Sequence, residues 1–511
     1  MTREILIAST PRESRVALLE DGILVELMFD RPDEVRLVGD IYLGRVDAVL
    51  PGIQAAFVDI GAEKAGFLHA SDLSEDDEEE EGGNGEFGGN GRQPRKLPPI
   101  QEQVKRGDAV LVQVAKEPIG TKGPRLTAQV SLPGRFLVYM PGSSHVGVSR
   151  KIEDRDERAR LRKMAREIIS PDADAGVIVR TVGEEVTQQT LKREFKRLHE
   201  RWRKIQRQAD SQTAPAQVHR EAKLISGIIR DLFSDKFDRL VVESKEIHHE
   251  ITQYVRNVDP ELLDRVHRHD DPVPLFDRYD VEEQAQTAFQ RSVNLPSGGH
   301  VIIEPTEALV SIDVNTGRYT GKKDPEHTIL RTNLDAAREI AKQLRLRDIG
   351  GIIVVDFIDM ESHESRDRVL QELKTHLGRD RARTKAFEVS ELGLIEMTRQ
   401  RVRPSLFHSL TEACEHCSGA GRVYTAATVI RRIERSLQRA AASKDERRLI
   451  VRVHPEVALQ VLEEEPDFLR RVAKKTRLDL DLRDDPLMRQ DQFRLLSGPA
   501  ETDVTTKYAG R

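Results

Sequence analysis

Two apolar runs separated by one amphipathic stretch constrain this chain most: residues 309–318 and residues 350–360. Both read as strands. In the first, alternation puts Ser311, Asp313 and Asn315 on one face and Val310, Ile312 and Val314 on the other. In the second, a β-branched run behind Gly350-Gly351 stays apolar at every position until Asp356, which predicts a strand buried on both faces with a carboxylate at its mouth. Between them, residues 328–347 carry Leu330, Leu334, Ala337, Ile340, Ala341 and Leu344 at helical spacing, with Arg331, Arg338, Lys342 and Arg345 elsewhere on the helix surface. Strand, helix, strand is a crossover unit, and such units carry polar groups at the carboxyl ends of their strands.

An ionised Asp at the mouth of an apolar strand needs an opposite charge, and a cation can hold two carboxylates together. Asp313 and Asp356 with the Asn315 amide and room for water describe a Mg²⁺ site, because Mg²⁺ needs few protein oxygens and keeps several waters. The plainer reading makes each Asp a turn former or helix cap. Residues 316–323 are glycine-rich and basic, which suits a polyanion near the metal.

At 511 residues, with 38% hydrophobic and 33% charged positions, several domains with highly charged surfaces are expected. No apolar run is long enough to span a bilayer and no basic-then-apolar leader opens the chain, so a cytoplasmic location without membrane attachment is expected. The net charge of -6 argues against a nucleic-acid partner until its distribution is considered. Residues 75–81 are all acidic and run into Gly82-Gly83-Asn84-Gly85 and Gly88-Gly89-Asn90-Gly91. Such an insert, placed at about residues 74–103, is too charged and glycine-rich to fold. Elsewhere Arg and Lys cluster in several stretches.

Taken in order, the chain opens with strands around a tight turn at Asp21-Gly22. Short strands separated by turns follow between 39 and 127, a spacing that suits a small barrel. Phe57 and Phe67 stand there among Lys64, Lys116, Lys122 and Arg125, either as core residues or as aromatic faces for bases beside cations for phosphates. Residues 39–46 and 65–69 resemble the S1 type of RNA-binding OB-fold. Between 128 and 224, strands surround a charged helix at about 154–169, and one of them ends on Arg180-Thr181, which could grip a phosphate or simply face solvent. Phe195, Leu198, Trp202 and Ile205 on the next helix read as packing. Residues 216–233 read as an amphipathic helix. The basic stretches 379–383 and 397–404 are expected beside the metal, holding phosphates without reading sequence.

Cys414 and Cys417 are the two cysteines, in a Cys-x-x-Cys followed by glycines, which excludes a disulfide framework. The pair is half of a tetrahedral Zn²⁺ site, which a second chain could complete across a two-fold axis. His416 is a poorer ligand from between the sulfurs. A redox pair is the alternative, although no thioredoxin-like unit is expected around it. Residues 425–511 read as a small α/β appendage.

Five segments together, Ser311 to Asn315, Thr332-Asn333-Leu334, Gln343 to Asp348, Val355 to Met360 and the Cys-x-x-Cys-Ser-Gly-x-Gly knuckle, closely resemble the ribonuclease E/G family. The end of the chain, with His454-Pro455-Glu456-Val457, is more similar to its shorter G branch. The resemblance implies an α+β multidomain fold. A split RNase H-like subdomain (1–38 and 225–288) would hold an inserted S1 barrel (39–127) and a 5′-sensor subdomain (128–224). A DNase I-like catalytic subdomain (289–410), a zinc link (411–424) and a small α/β domain (425–511) would follow. It also implies Mg²⁺ on Asp313 and Asp356 with Asn315 orienting the first, and RNA held by Phe57, Phe67 and Lys122. A 5′-monophosphate would meet Arg180 and Thr181, with the Val138 backbone and Arg383 in support. Zn²⁺ shared through Cys414 and Cys417 would join a homodimer or a dimer of dimers. The implied activity is Mg-dependent endonucleolytic cleavage of single-stranded A/U-rich RNA in rRNA precursors and mRNA. Two departures stand out: Glu415 replaces a frequent Pro in the knuckle, and the acidic insert lies outside the common pattern. An S1 protein that binds RNA without cutting it, or an assembly protein built on the knuckle, would leave the shared face of Asp313 and Asn315 unexplained.

Overall fold

The computed structural model describes residues 1–31, 37–73, 98–118, 122–152, 154–170, 173–184, 186–221, 224–317, 325–390 and 392–509. The acidic part of the insert, 74–97, and the basic segment 318–324 lie outside the described residues. Contacts divide the chain into two units, Met1–Leu406 and Phe407–Arg511.

In the first unit the two apolar runs form neighbouring strands, Leu309–Asn315 and Gly351–Asp356, in the middle of a six-stranded sheet. They are parallel, in register from Leu309 opposite Ile352 to Asp313 opposite Asp356. Helix Pro325–Leu346 makes the crossover. Val310, Ile312, Val314, Ile353 and Val355 pack on Ala337, Ile340 and Leu344 of that helix and on Val369 and Leu373 of helix His363–Leu377. Burial of each large aliphatic side chain contributes about 1.5–3 kcal/mol.

The helices cover one face only. Ile352 is 53% exposed on the other, so the expectation of a strand buried on both faces is corrected, and Asp356 is exposed rather than buried. A β-branched run reports strand propensity, not which face will be covered. Arg345, expected on the helix surface, is instead buried, with Glu20 and Glu26 each 3.2 Å from its guanidinium.

Those two glutamates belong to a five-stranded sheet of Val266–Arg268, Arg239–Val242, Arg3–Thr10, Glu13–Glu20 and Ile23–Asp30, in that order. The chain leaves this sheet after Asp30 and returns to it in parallel pairing at Arg239. Asp21 and Gly22 turn the last hairpin with φ of 50° and 78°, the left-handed pair that a two-residue turn requires.

A closed barrel of five strands lies within the excursion: Ile41–Leu50, Ala55–Asp59, Gly66–His69, Arg125–Thr127 and Ala109–Lys116, the last pairing with the first. The boundary placed at 103 for the insert is too late. Ile100 is fully buried among the barrel's apolar residues and opens the short helix Ile100–Gln103. The helix expected over 216–233 is also corrected. Ala216–His219 is a strand added to Ile41–Leu50, and the helix is Leu224–Asp231. Ala216 and Val218 alternate with polar residues, a period that sheet pairing exploits.

A four-stranded sheet, ordered Val146–Val148, Ala175–Val179, Leu137–Pro141 and Leu132–Pro133, packs against helices Arg155–Ile168 and Gln188–Ser211. In the second unit, helix Ala426–Ser443 buries Val429, Ile430, Ile433 and Leu437 with Leu449, Val451 and Val453 of the strand Arg448–Val453. That strand sits between Asp479–Asp484 and Phe493–Ser497.

Candidate active site and its surroundings

Asp313 and Asp356 lie opposite one another at the carboxyl ends of adjacent parallel strands, both exposed. Asn315 shares the Asp313 face, and its Nδ2 donates to Asp313 Oδ2 at 2.7 Å. That bond aims one carboxylate oxygen and leaves the other without a hydrogen bond among the described residues. Partial loss of water at the strand end, then the negative charges of Asp313 and Asp359, push the exposed Asp356 carboxyl above the usual carboxylate range. Among the described residues no Lys or Arg forms an ion pair with Asp313 or Asp356. Carboxylates that repel one another and have no partner favour a cation.

The strand end is held tightly. A Cβ at Gly317 would lie 1.8 Å from the Gly298 carbonyl oxygen, so this close approach of backbone to backbone requires glycine. The loop after Asp356 is held by Asn333, a fully buried residue of the crossover helix. Its Nδ2 donates to the Ile358 carbonyl at 2.8 Å and its Oδ1 accepts the Ile358 N–H at 3.1 Å. In the sequence Asn333 stands out only as part of the Thr332-Asn333-Leu334 motif. A polar residue on the buried stripe of a helix was the available signal that it serves a backbone.

On the barrel, Phe57 and Phe67 are partners on adjacent strands, with ring centroids 6.1 Å apart and planes at 70°. Both are half-buried, whereas Ala56, Val58 and Leu68 fill the interior, so the rings lie on the outer face rather than in the core. Arg125 is the register neighbour of Phe67. Lys122 is exposed just ahead of Pro124, whose carbonyl accepts the Phe67 N–H at 2.8 Å.

Val138, Arg180 and Thr181 belong to one subdomain, with Val138 opposite Ile178 in the sheet. The Arg180 guanidinium donates to the Gly134 carbonyl at 2.7 Å and pairs with Asp231 at 2.5 Å. Burial opposes ionisation of Asp231, but Arg230 and Arg180 outweigh it and hold its carboxyl below the usual range. The Thr181 hydroxyl lies 2.8 Å from that of Ser149. Arg383 is exposed just before Thr384–Val389, the edge strand of the six-stranded sheet, and Lys151 Nζ donating to the Arg381 carbonyl at 3.4 Å links the two regions.

The basic stretches are not gathered at the carboxylates. Arg399 is opposite Gly351, at the far end of the strand from Asp356, and is buried. It pairs with Asp380 at 2.7 Å and Asp348 at 3.1 Å, and Arg403 joins Asp348 at 2.8 Å. Strand direction, which composition does not reveal, put these charges at the other end.

Comparison with known proteins decides the relationship. Residues 131–402 match the Ribonuclease E/G family. The chain is 40% identical over 493 residues to Ribonuclease G of Salmonella typhimurium, covering 96% of this chain and 99% of that protein. It is 41% identical over 465 residues to Ribonuclease G of Haemophilus influenzae, covering 90% and 92%. With Ribonuclease E of the same organism it shares 35% over 513 residues, 54% of that longer protein.

The chain belongs to the ribonuclease E/G family.

Within the family's second matched region, residues 413–498, the description is a thioredoxin-like domain. That corrects the expectation of no thioredoxin-like unit around Cys414 and Cys417. The pair itself precedes helix Ala426–Ser443 in an exposed turn rather than opening a helix after a strand. Gly421 N–H donates to Cys417 Sγ at 3.3 Å. The N–H groups of Gly421 and Gly419, with Cys414, hold the Cys417 thiol below its ordinary range. Among the described residues no group of three or more His, Cys, Asp or Glu converges on one point; the two thiols are half of a tetrahedral zinc site, whereas two carboxylates with water meet the needs of Mg²⁺. No helix among the described residues is long and apolar enough to cross a membrane.

Proposed function

We propose that this endoribonuclease of the E/G family cuts single-stranded A/U-rich RNA with Mg²⁺, using the Asp313–Asp356 pair. The observation that carries the reading is the register of those aspartates across parallel strands with Asn315 bonded to the first. Two exposed carboxylates without a cationic partner among the described residues suit a hard, octahedral ion that keeps water. Mg²⁺ bound there would polarise the scissile phosphate and lower the pKa of a bound water. Asp313 and Asp356 hold the ion's protein side, Asn315 keeps Asp313 aimed, and Asn333 fixes the loop beyond Asp356. Cleavage leaves a 3′-hydroxyl and a 5′-phosphate.

Phe57, Phe67 and Lys122 hold the strand by stacking and charge. Arg180, Thr181, the Val138 backbone and Arg383 bind a 5′-monophosphate. That role requires the phosphate to compete with Asp231 for Arg180, so the sensor engages by partner exchange. Cys414 and Cys417 of each copy supply one thiolate apiece to a Zn²⁺ shared by two copies, four in all, giving a dimer or a dimer of dimers. The five-stranded sheet is the RNase H-like part, the barrel the S1 domain and the six-stranded sheet the DNase I-like part. Substrates are rRNA precursors and mRNA in the cytoplasm.

The test is cleavage of a 5′-monophosphorylated A/U-rich RNA by the wild type and by Asp356→Asn, with binding measured alongside. Loss of cutting with RNA affinity kept supports the pair; equal cutting by both chains moves the chemistry elsewhere.

A further inference from the structure

Away from these surfaces, a groove of about 570 Å³ runs between helix Gln188–Ser211 and the strand Ala216–His219. Arg197, Arg201 and Lys204 line the helical wall at spacings of four and three, and Arg220 lines the other. Buried Ile205 and Val218 make an apolar floor. Against four cations, Glu200 is the single carboxylate in the lining.

The positive charge is matched only in part, by the attraction of Asp40 for Arg220 and of Glu221 for Arg201. Among the described residues, the side chains of Arg201, Lys204 and Arg220 have no hydrogen bond or ion pair. Arg197 reaches Glu194 at 3.1 Å, but that carboxylate already accepts the backbone N–H groups of Arg135, Phe136 and Leu137. Burial, then the charge of Arg197, make Arg201 hold its proton less tightly than usual, and Glu221 opposes them without cancelling them. An anion in the groove reverses that penalty. Neither Val138, Arg180 nor Thr181 lines it, and its strand wall is hydrogen-bonded to the barrel strand Ile41–Leu50.

We propose that this groove is a phosphate site that holds backbone phosphates of the RNA substrate, apart from both the 5′ end and the cut. The assignment rests on RNA being the substrate. Cations over an apolar floor accept phosphate and ribose without reading bases. A free polyphosphate, such as that of a nucleoside triphosphate, offers the same chemistry.

The experiment uses the full chain carrying Asp356→Asn, so that binding is read without cutting, and an RNA with a 5′-hydroxyl, so that the sensor is not engaged. Arg201→Glu with Lys204→Glu should weaken RNA binding by about tenfold and shrink the slope of log affinity against log salt by about 1.4, at roughly 0.7 per phosphate contact on a single strand. Arg201→Gln with Lys204→Gln should move both in the same direction by less, with an unchanged melting temperature showing that the fold survives. Inorganic tripolyphosphate is titrated calorimetrically into the same chains. If charge reversal abolishes tripolyphosphate binding but leaves RNA affinity and slope alone, the RNA assignment is overturned in favour of a free polyphosphate. If it changes neither, there is no phosphate site. Because no arm depends on cleavage, failure here is separable from failure of the proposed nuclease chemistry.

Discussion

The two ends of the six-stranded sheet solve opposite problems with the same residue types. At the end where Gly351 meets Arg399, two buried carboxylates, Asp348 and Asp380, are matched by guanidinium groups. At the other, Asp313 and Asp356 are exposed, crowd each other and have no cation among the described residues. The first arrangement joins helix ends to the sheet. The second leaves electrostatic strain that a ligand can relieve, so a charged residue's role follows from what faces it.

The largest effect should come from the strained end. Asp356→Asn removes a carboxylate on which several kcal/mol of charge stabilisation is argued to depend, so cleavage should fall by about a thousandfold or more. Single-turnover assays on a 5′-monophosphorylated RNA check this. Residual cutting within tenfold of wild type would erase the functional contrast between the two ends.

Next is the matched end. Arg399→Met strips two buried carboxylates of a partner and should cost about 3–5 kcal/mol of stability, read as a lower urea midpoint. Cleavage per folded molecule should be unchanged at a temperature where the variant is folded. A catalytic loss with intact stability would show that the far end also serves the chemistry.

The contrast was only half visible in the sequence. Asp313 and Asn315 could be put on one face because strand alternation is local, and the crossover helix followed from its own periodicity. Arg345 could not be read, because its partner Glu26 lies 319 positions away. Arg399 could not be placed, because its end of the sheet depends on strand direction. Ile352 looked buried because β-branched residues fill both covered and open faces. Asn333 was visible as a motif, but the backbone it holds becomes apparent only once helix and strand are packed.

Asn315→Ala tests the finer structure of the strained end. The amide does not belong to the carboxylate pair but aims one member through the 2.7 Å bond, a supporting role whose loss typically costs about 10–100-fold. The loss should shrink as Mg²⁺ is raised, because a misaimed ligand weakens metal affinity first. A deficit that is the same at every Mg²⁺ concentration would give Asn315 a different part.

The smallest effect follows from the direction of the Asp356 shift. Its folded-state carboxyl binds a proton more tightly than an ordinary unfolded Asp, so its contribution to stability is present below the ordinary value and lost as pH rises through the raised one. At neutral pH without metal, the charged group therefore works against the fold. Asp356→Asn should then melt slightly higher than wild type, by the equivalent of about a few tenths of a kcal/mol given its exposure, and the gap should close on acidification. Adding Mg²⁺ should stabilise only the wild type and narrow or reverse the gap, because a ligand bound to the native state adds its own binding energy. At the Arg399 end neither metal nor acid should produce such a reversal, since its carboxylates already have their cations. A variant that melts lower than wild type at neutral pH without metal would mean that Asp356 is paired after all, and that the two ends are alike.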